Sequence, residues 1–246
     1  PFTVAAGIES GSITGNESYT CNGSLTVVEG DKPIKCHNTW GDGTLTVSEG
    51  IMLSCNVNMM YIAQATGVST FTKFQHIFNF GLKTNIDLAG EARTVGLTYT
   101  ADNMRAAELA TCSFGQGFNC TMIQMMSAFC ATINGGYYYE PHVVKQILND
   151  QGSVVKKIEP VLVRETVSEN TAIFLRTALE KTVSEGTGKA AQVEGYAVGG
   201  KTGTAEKYPR SAENYLVSFI GFAPADNPQV MVYVAIDTPN LPGKEQ

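Results

Sequence analysis

The sequence predicts an α+β domain in which a helical part packs on an antiparallel sheet. Apolar positions recur at helical spacing through much of residues 44–183, and the chain after Gly186-Thr-Gly188 turns to β-branched, alternating runs separated by turn residues. The composition, 43% hydrophobic and 16% charged over 246 residues, is that of a chain able to bury one sizeable core. No linker forces a split, so residues 1–246 are expected to form a single domain.

Residues 1–10 carry apolar positions at helical spacing and stop at Gly11, as the C-terminal end of a helix that began upstream. Residues 12–43 are polar and turn-rich. Thr44–Gly67 shows one helical pattern through Leu45, Val47, Ile51, Met52, Val57, Met60, Tyr61 and Ala63, and places Ser54 inside a helix. Ser69 is the expected N-cap of a helix to about Asn79, and Thr100 of another to about Ala110. Thr121–Ile133 is expected as a buried helix, with Met122, Met125 and Met126 filling core. Val143–Leu148 and Val154–Ile158 flank an Asn-Asp-Gln-Gly turn and predict a hairpin. Ser168-Glu169 opens an amphipathic helix to about Val183, and Tyr196–Ala205, Tyr215–Phe222 and Val230–Asp237 predict a meander. The end of the chain, Leu241–Gln246, shows no capping element.

The net charge of -6 offers no basic face for a phosphate backbone, so nucleic acid is not an expected partner. The longest apolar stretches fall short of the ~20 residues that cross a bilayer. The chain opens on Pro1 with no basic or apolar leader, so any anchor is expected upstream. None of the six cysteines is spaced C-x-x-C, and neither a metal nor a cofactor is expected. Cys21 and Cys36 share a loop-like segment where a disulfide would contribute roughly 3 kcal/mol; the sequence leaves open whether it forms. Cys55, Cys112, Cys120 and Cys130 are expected as buried free thiols.

The chain has no G-x-S-x-G elbow, H-E-x-x-H, Walker A loop or G-x-G-x-x-G, and its three histidines, His37, His76 and His142, stand in unrelated contexts. There remains a pair of short motifs, Ser54-x-Asn56 and Lys201-Thr-Gly203, each a weak signal alone. With them stand Leu53-Ser-Cys-Asn-Val57, Ser113-Phe-Gly-Gln-Gly117, Asn134-Gly-Gly136, Gly200-Lys-Thr-Gly-Thr-Ala205 and Ser218-Phe-Ile-Gly-Phe-Ala-Pro224. In this order they resemble the transpeptidase domains of class B penicillin-binding proteins, over nearly the whole chain.

The resemblance implies the penicillin-binding, serine β-lactamase-like fold and D,D-transpeptidation of peptidoglycan stem peptides through a serine acyl-enzyme, with β-lactams as inhibitors. It implies that Ser54 relays a proton, Asn56 bonds the substrate amide, and Lys201 supplies positive charge near the substrate carboxylate and influences Ser54. Thr202 and Thr204 would bind that carboxylate. Gly203 would let an extended peptide pair with the strand, while the Thr204 amide faces the oxyanion. Other cell-wall synthesis proteins, a membrane anchor and a place outside the cytoplasmic membrane are further implications. A β-lactam sensor, a non-catalytic scaffold of the division machinery, or a β-lactamase of the same superfamily are the alternatives.

The first motif of that family, Ser-x-x-Lys, is expected just upstream, because residues 1–9 resemble the family's stretch immediately after that lysine; the domain is expected to be truncated at both ends. Only Ser153 has a lysine three places on, Lys156, and on a strand these side chains point to opposite faces. The 246 residues alone are therefore expected to be inactive.

Overall fold

The computed structural model describes residues 1–209 and 214–239. The stretch Leu241–Gln246 lies outside them. Helix α1 (Phe2–Glu9) is the hub: Thr3, Val4, Ala5, Ala6 and Gly7 are all buried. A Cβ on Gly7 would stand 2.9 Å from Ile13, so the small residue lets neighbouring chain approach.

Residues 12–46 form two small antiparallel pairs. β1 (Ser18–Cys21) pairs with β4 (Gly43–Thr46), and β2 (Ser24–Leu25) with β3 (Ile34–Lys35). The single helix expected over Thr44–Gly67 is two: α2 (Val47–Met52) and α3 (Asn56–Thr66). Thr46 and Glu49 close a capping box at the start of α2. The end of α2 is a Schellman turn: Cys55 N–H donates to Gly50 O at 2.9 Å and Ser54 N–H to Ile51 O at 3.1 Å, with Ser54 left-handed at φ 59°. Apolar periodicity runs across this break because both helices bury apolar residues, Val47 and Ile51 in α2 and Val57, Met60, Ile62 and Ala63 in α3.

α4 (Val68–Ile77) begins at Gly67 rather than at Ser69. α5 (Ala106–Ser113) begins after Arg105, beyond the Thr100 start expected, because Asn103 Oδ1 takes the Thr100 N–H in a turn. α6 (Met122–Ile133) lies where expected, and Thr121 caps it in a box closed by Gln124. Met125 packs against the core, but Met122 is exposed, against expectation.

β5 (Tyr137–Tyr139) pairs with β8 (Leu162–Glu165), a pairing that the sequence pattern does not predict. The expected hairpin is β6 (Gln146–Leu148) with β7 (Val154–Lys157), exposed on both faces. α7 (Glu169–Ser184) is capped by Ser168. The main sheet is antiparallel in the order β11-β10-β9, from β9 (Gly199–Glu206), β10 (Tyr215–Ala223) and β11 (Val230–Asp237). In β11, Met231 and Tyr233 pack on the core while Val230, Val232 and Val234 face outward, the period-2 alternation of a strand. α7 lies against β9 and α6 against β11, and Phe222, Leu175, Leu179 and Phe129 share the central core. The architecture is the helical layer on an antiparallel sheet that the sequence predicts.

Candidate active site

The Schellman turn and the face of β9 meet across one cleft of about 510 Å³, lined by Ser54, Asn56, Lys201, Thr202, Gly203 and Thr204. All six residues singled out in the sequence therefore converge. The Lys201 ammonium donates to Ser54 Oγ at 2.8 Å and to Thr202 O at 3.1 Å. Burial pushes the Lys201 ammonium down to about 8.

Ser54 is not on a helix, which corrects the sequence reading. A left-handed residue at the end of α2 turns its hydroxyl into the cleft, a position where glycine is usual and where serine costs on the order of 1 kcal/mol. Asn56 is the first residue of α3, and its Nδ2 donates to Lys35 O at 3.3 Å. Across the cleft on β9, Gly203 carries no side chain; a Cβ there would meet only Ser218 Oγ, at 2.7 Å. That stretch of β9 is open to an extended ligand.

Several lining residues were given no role by the sequence. Thr187, in the turn after α7, shares a 3.1 Å hydroxyl contact with Thr202, and its N–H donates to Met52 O at 3.2 Å, so it ties β9 to the end of α2. A Cβ on Gly186 would stand 2.3 Å from Met52 O, which explains the glycine before it. His37, for which the sequence offers no role, also lines the cleft, and its Nδ1 lies 3.7 Å from Cys36 Sγ. Gln116 and Phe114, from the Ser-Phe-Gly-Gln-Gly stretch, form another wall. Pro1 reaches the cleft from the start of α1. Ser153 and Lys156 sit on the exposed hairpin, not among the residues that line the cleft.

The cysteines answer one point that the sequence left open. Cys21 and Cys36 form no disulfide; both thiols are free and buried. Cys55 is the buried free thiol expected, and its sulfur lies 3.9 Å from that of Cys36. Burial pushes Cys112 up to about 12 and Cys120 and Cys130 up to about 11; Cys112 is buried as expected, while Cys120 and Cys130 are only partly buried, against expectation.

A strand-borne Lys-Thr-Gly facing a Ser-x-Asn turn across an apolar cleft, on a helical layer over an antiparallel sheet, defines an active-site-serine penicillin-recognising domain. The chain belongs to the penicillin binding protein transpeptidase domain family, whose model matches residues 1–246. It is 39% identical to Stage V sporulation protein D of Bacillus subtilis, over 97% of this chain and 37% of that protein. It is 31% identical to a probable peptidoglycan D,D-transpeptidase PenA of Neisseria meningitidis, over 99% of this chain and 39% of the relative. Among solved structures, the D,D-transpeptidase domain of a peptidoglycan glycosyltransferase from Eggerthella lenta superposes with a TM-score of 0.87 at 25% identity, over 97% of this chain and 59% of that one. Penicillin binding protein 3 of Mycobacterium tuberculosis, complexed with aztreonam, gives 0.85 at 27% identity, over 97% and 55%. The chain thus spans well under half the length of these two curated relatives.

Proposed function

We propose that this chain is the substrate-holding part of a peptidoglycan D,D-transpeptidase. The observation that carries it is the 2.8 Å contact of Lys201 with Ser54 in a cleft walled by Thr202, Gly203 and Thr204. A serine followed three places on by a lysine, on the turn of helix that precedes Pro1, would enter the same cleft that Pro1 lines. That serine attacks the carbonyl of the penultimate D-alanine of a stem peptide, the D-alanine leaves, and an amine of a neighbouring stem peptide takes the acyl group. Ser54 carries the proton toward the leaving amine, with Lys201 holding its hydroxyl. Lys201, Thr202 and Thr204 receive the substrate carboxylate, Asn56 bonds its amide, and the Thr204 N–H serves the oxyanion. The relative named as a transpeptidase and the aztreonam complex support the same substrate and inhibitor classes.

The complete protein is proposed to work on the outer face of the cytoplasmic membrane beside other cell-wall synthesis proteins; no described helix is long and apolar enough to cross a membrane. Mass spectrometry after exposure to a β-lactam tests the reading. The complete protein should carry one acyl adduct on a serine upstream of Pro1, and Lys201→Ala should slow its formation by about 100-fold or more. An adduct on Ser54 or Ser153, or none on the complete protein, overturns it.

A further inference from the structure

Beside the cleft, four side chains from four separate stretches converge: Cys21 at the end of β1, Cys36 after β3, Asp42 before β4, and Cys55 in the turn between Ser54 and Asn56. Their sulfur and carboxylate atoms all lie within 4.8 Å of one another, and the three thiols are buried. We infer that they form a binding site for a thiophilic divalent metal, zinc in the first place, which clamps the Ser54-Cys55-Asn56 turn to the loops of residues 21–42.

The distances fit a metal-centred tetrahedron and speak against a disulfide. A tetrahedron with Zn–S bonds of about 2.3 Å and a Zn–O bond of about 2.1 Å has edges of roughly 3.6–3.8 Å. Cys36 Sγ lies 3.9 Å from Cys55 Sγ and 3.7 Å from Asp42 Oδ2. A disulfide would require the two sulfurs to close to about 2.05 Å and would leave Cys21 and Asp42 without a role.

The surroundings are those of a ligand set already oriented. Asn38 Nδ2 donates to Asp42 Oδ1 at 2.9 Å, leaving Oδ2 turned toward the sulfurs. Asn58 N–H, in the first turn of the eleven-residue helix α3, donates to Cys55 Sγ at 3.5 Å, so the positive end of that helix faces the sulfur. The His37 ring stands 3.7 Å from Cys36 Sγ. The backbone is equally fixed: Cys36 N–H donates to Gly23 O at 2.8 Å, and a Cβ on Gly41 would stand 2.4 Å from Cys21 O. Three thiolates and a carboxylate around a dication leave net negative charge, which these N–H donors offset.

Cys55 touches no reacting atom in this arrangement; it is a positioning residue. Fixing its sulfur fixes the left-handed turn that holds Ser54 against Lys201. The inference on metal content stands independently of the proposed transpeptidation; only the effect of chelation on acylation rests on that reading.

The test uses the complete protein, purified without added metal under reducing conditions. Elemental analysis is expected to find about one zinc per chain. Cobalt replacement is expected to give intense thiolate-to-cobalt charge-transfer absorption with the d–d bands of a tetrahedral site. Cys21→Ser should weaken zinc binding by about 100-fold or more, Asn38→Ala by about 10- to 100-fold, and Cys112→Ser not at all. The cobalt spectrum of the unmodified protein keeps the test decisive if a variant fails to fold. Chelation should slow β-lactam acylation of the unmodified protein and of Cys112→Ser alike. Absence of stoichiometric zinc together with no cobalt–thiolate absorption, or a Cys36–Cys55 disulfide in the protein isolated with its thiols trapped, overturns the inference.

Discussion

At the scale of single residues, the site turns on a serine in a conformation that serine disfavours. Ser54 holds φ 59° because the Schellman turn at the end of α2 demands a left-handed residue there, and its hydroxyl meets Lys201. Ser54→Gly should therefore keep or slightly raise stability while slowing acylation in the complete protein by about 100-fold, as measured by thermal melts beside acylation kinetics. Ser54→Val, β-branched at positive φ, should lower stability by about 1–3 kcal/mol as well. Lys201 supplies the pH dependence. Its ammonium is pushed down to about 8 by burial, so it is charged below that pH and neutral above. The acylation rate for carboxylate-bearing β-lactams should fall as pH rises through about 8, and Lys201→Ala should lose that limb of the profile. The residue types of the site were legible in the sequence; the left-handed turn was not, because nothing in Leu-Ser-Cys-Asn marks a helix end where glycine is usual.

Among elements, the contact between the first helix and the last carries a carboxylate that only the fold brings into place. Glu9 Oε1 accepts from Ser168 N–H at 2.9 Å, from Ser168 Oγ at 2.7 Å and from Thr171 Oγ1, so the end of α1 caps the start of α7 beside Ser168 itself. Partial burial acts to raise its carboxyl, but the hydrogen bonds from Thr171 and Ser168 prevail and hold it below the usual carboxylate range. A depressed carboxyl contributes stability that is present above its unfolded value and is lost as pH falls through the folded one. Glu9→Gln should thus cost on the order of 1 kcal/mol at pH 7, and the gap between the variant and the unmodified chain should narrow in acid, as read from denaturant midpoints across pH. The Ser168 cap and the span of α6 were visible as sequence patterns, since each is local, while the equally local Thr121–Gln124 box at the start of α6 was missed. The starts of α4 and α5 were misplaced because Gly67 and Arg105 are weak signals, and because Thr100 serves a turn rather than a helix.

For the whole molecule, one core joins the helical layer to the sheet and sets the width of the cleft. Leu175 of α7 is fully buried there with Leu179, Phe129 and Phe222. Leu175→Ala should lower stability by about 2–5 kcal/mol, measured by denaturant unfolding, with acylation per folded molecule changed much less, because its side chain is not among those that line the cleft. The β6–β7 hairpin behaves differently. Its residues are exposed on both faces and lie outside that core, so its alternation marks a hairpin without a buried side.

Short-range physics and motif order account for everything the sequence alone determined: the helical layer and meander, the span of α6 and the cap of α7, and the identity of Ser54, Asn56, Lys201, Thr202, Gly203 and Thr204 as residues that belong together. Periodicity and capping are read within a few residues of chain, and so survive without tertiary context. Only the tertiary structure decided which atoms meet. It set Lys201 against Ser54, placed Thr187 between Met52 and Thr202, and gathered Cys21, Cys36, Asp42 and Cys55 around one point. Those contacts join residues far apart in the chain, and no local pattern records them because the chain meets there only after its core has packed.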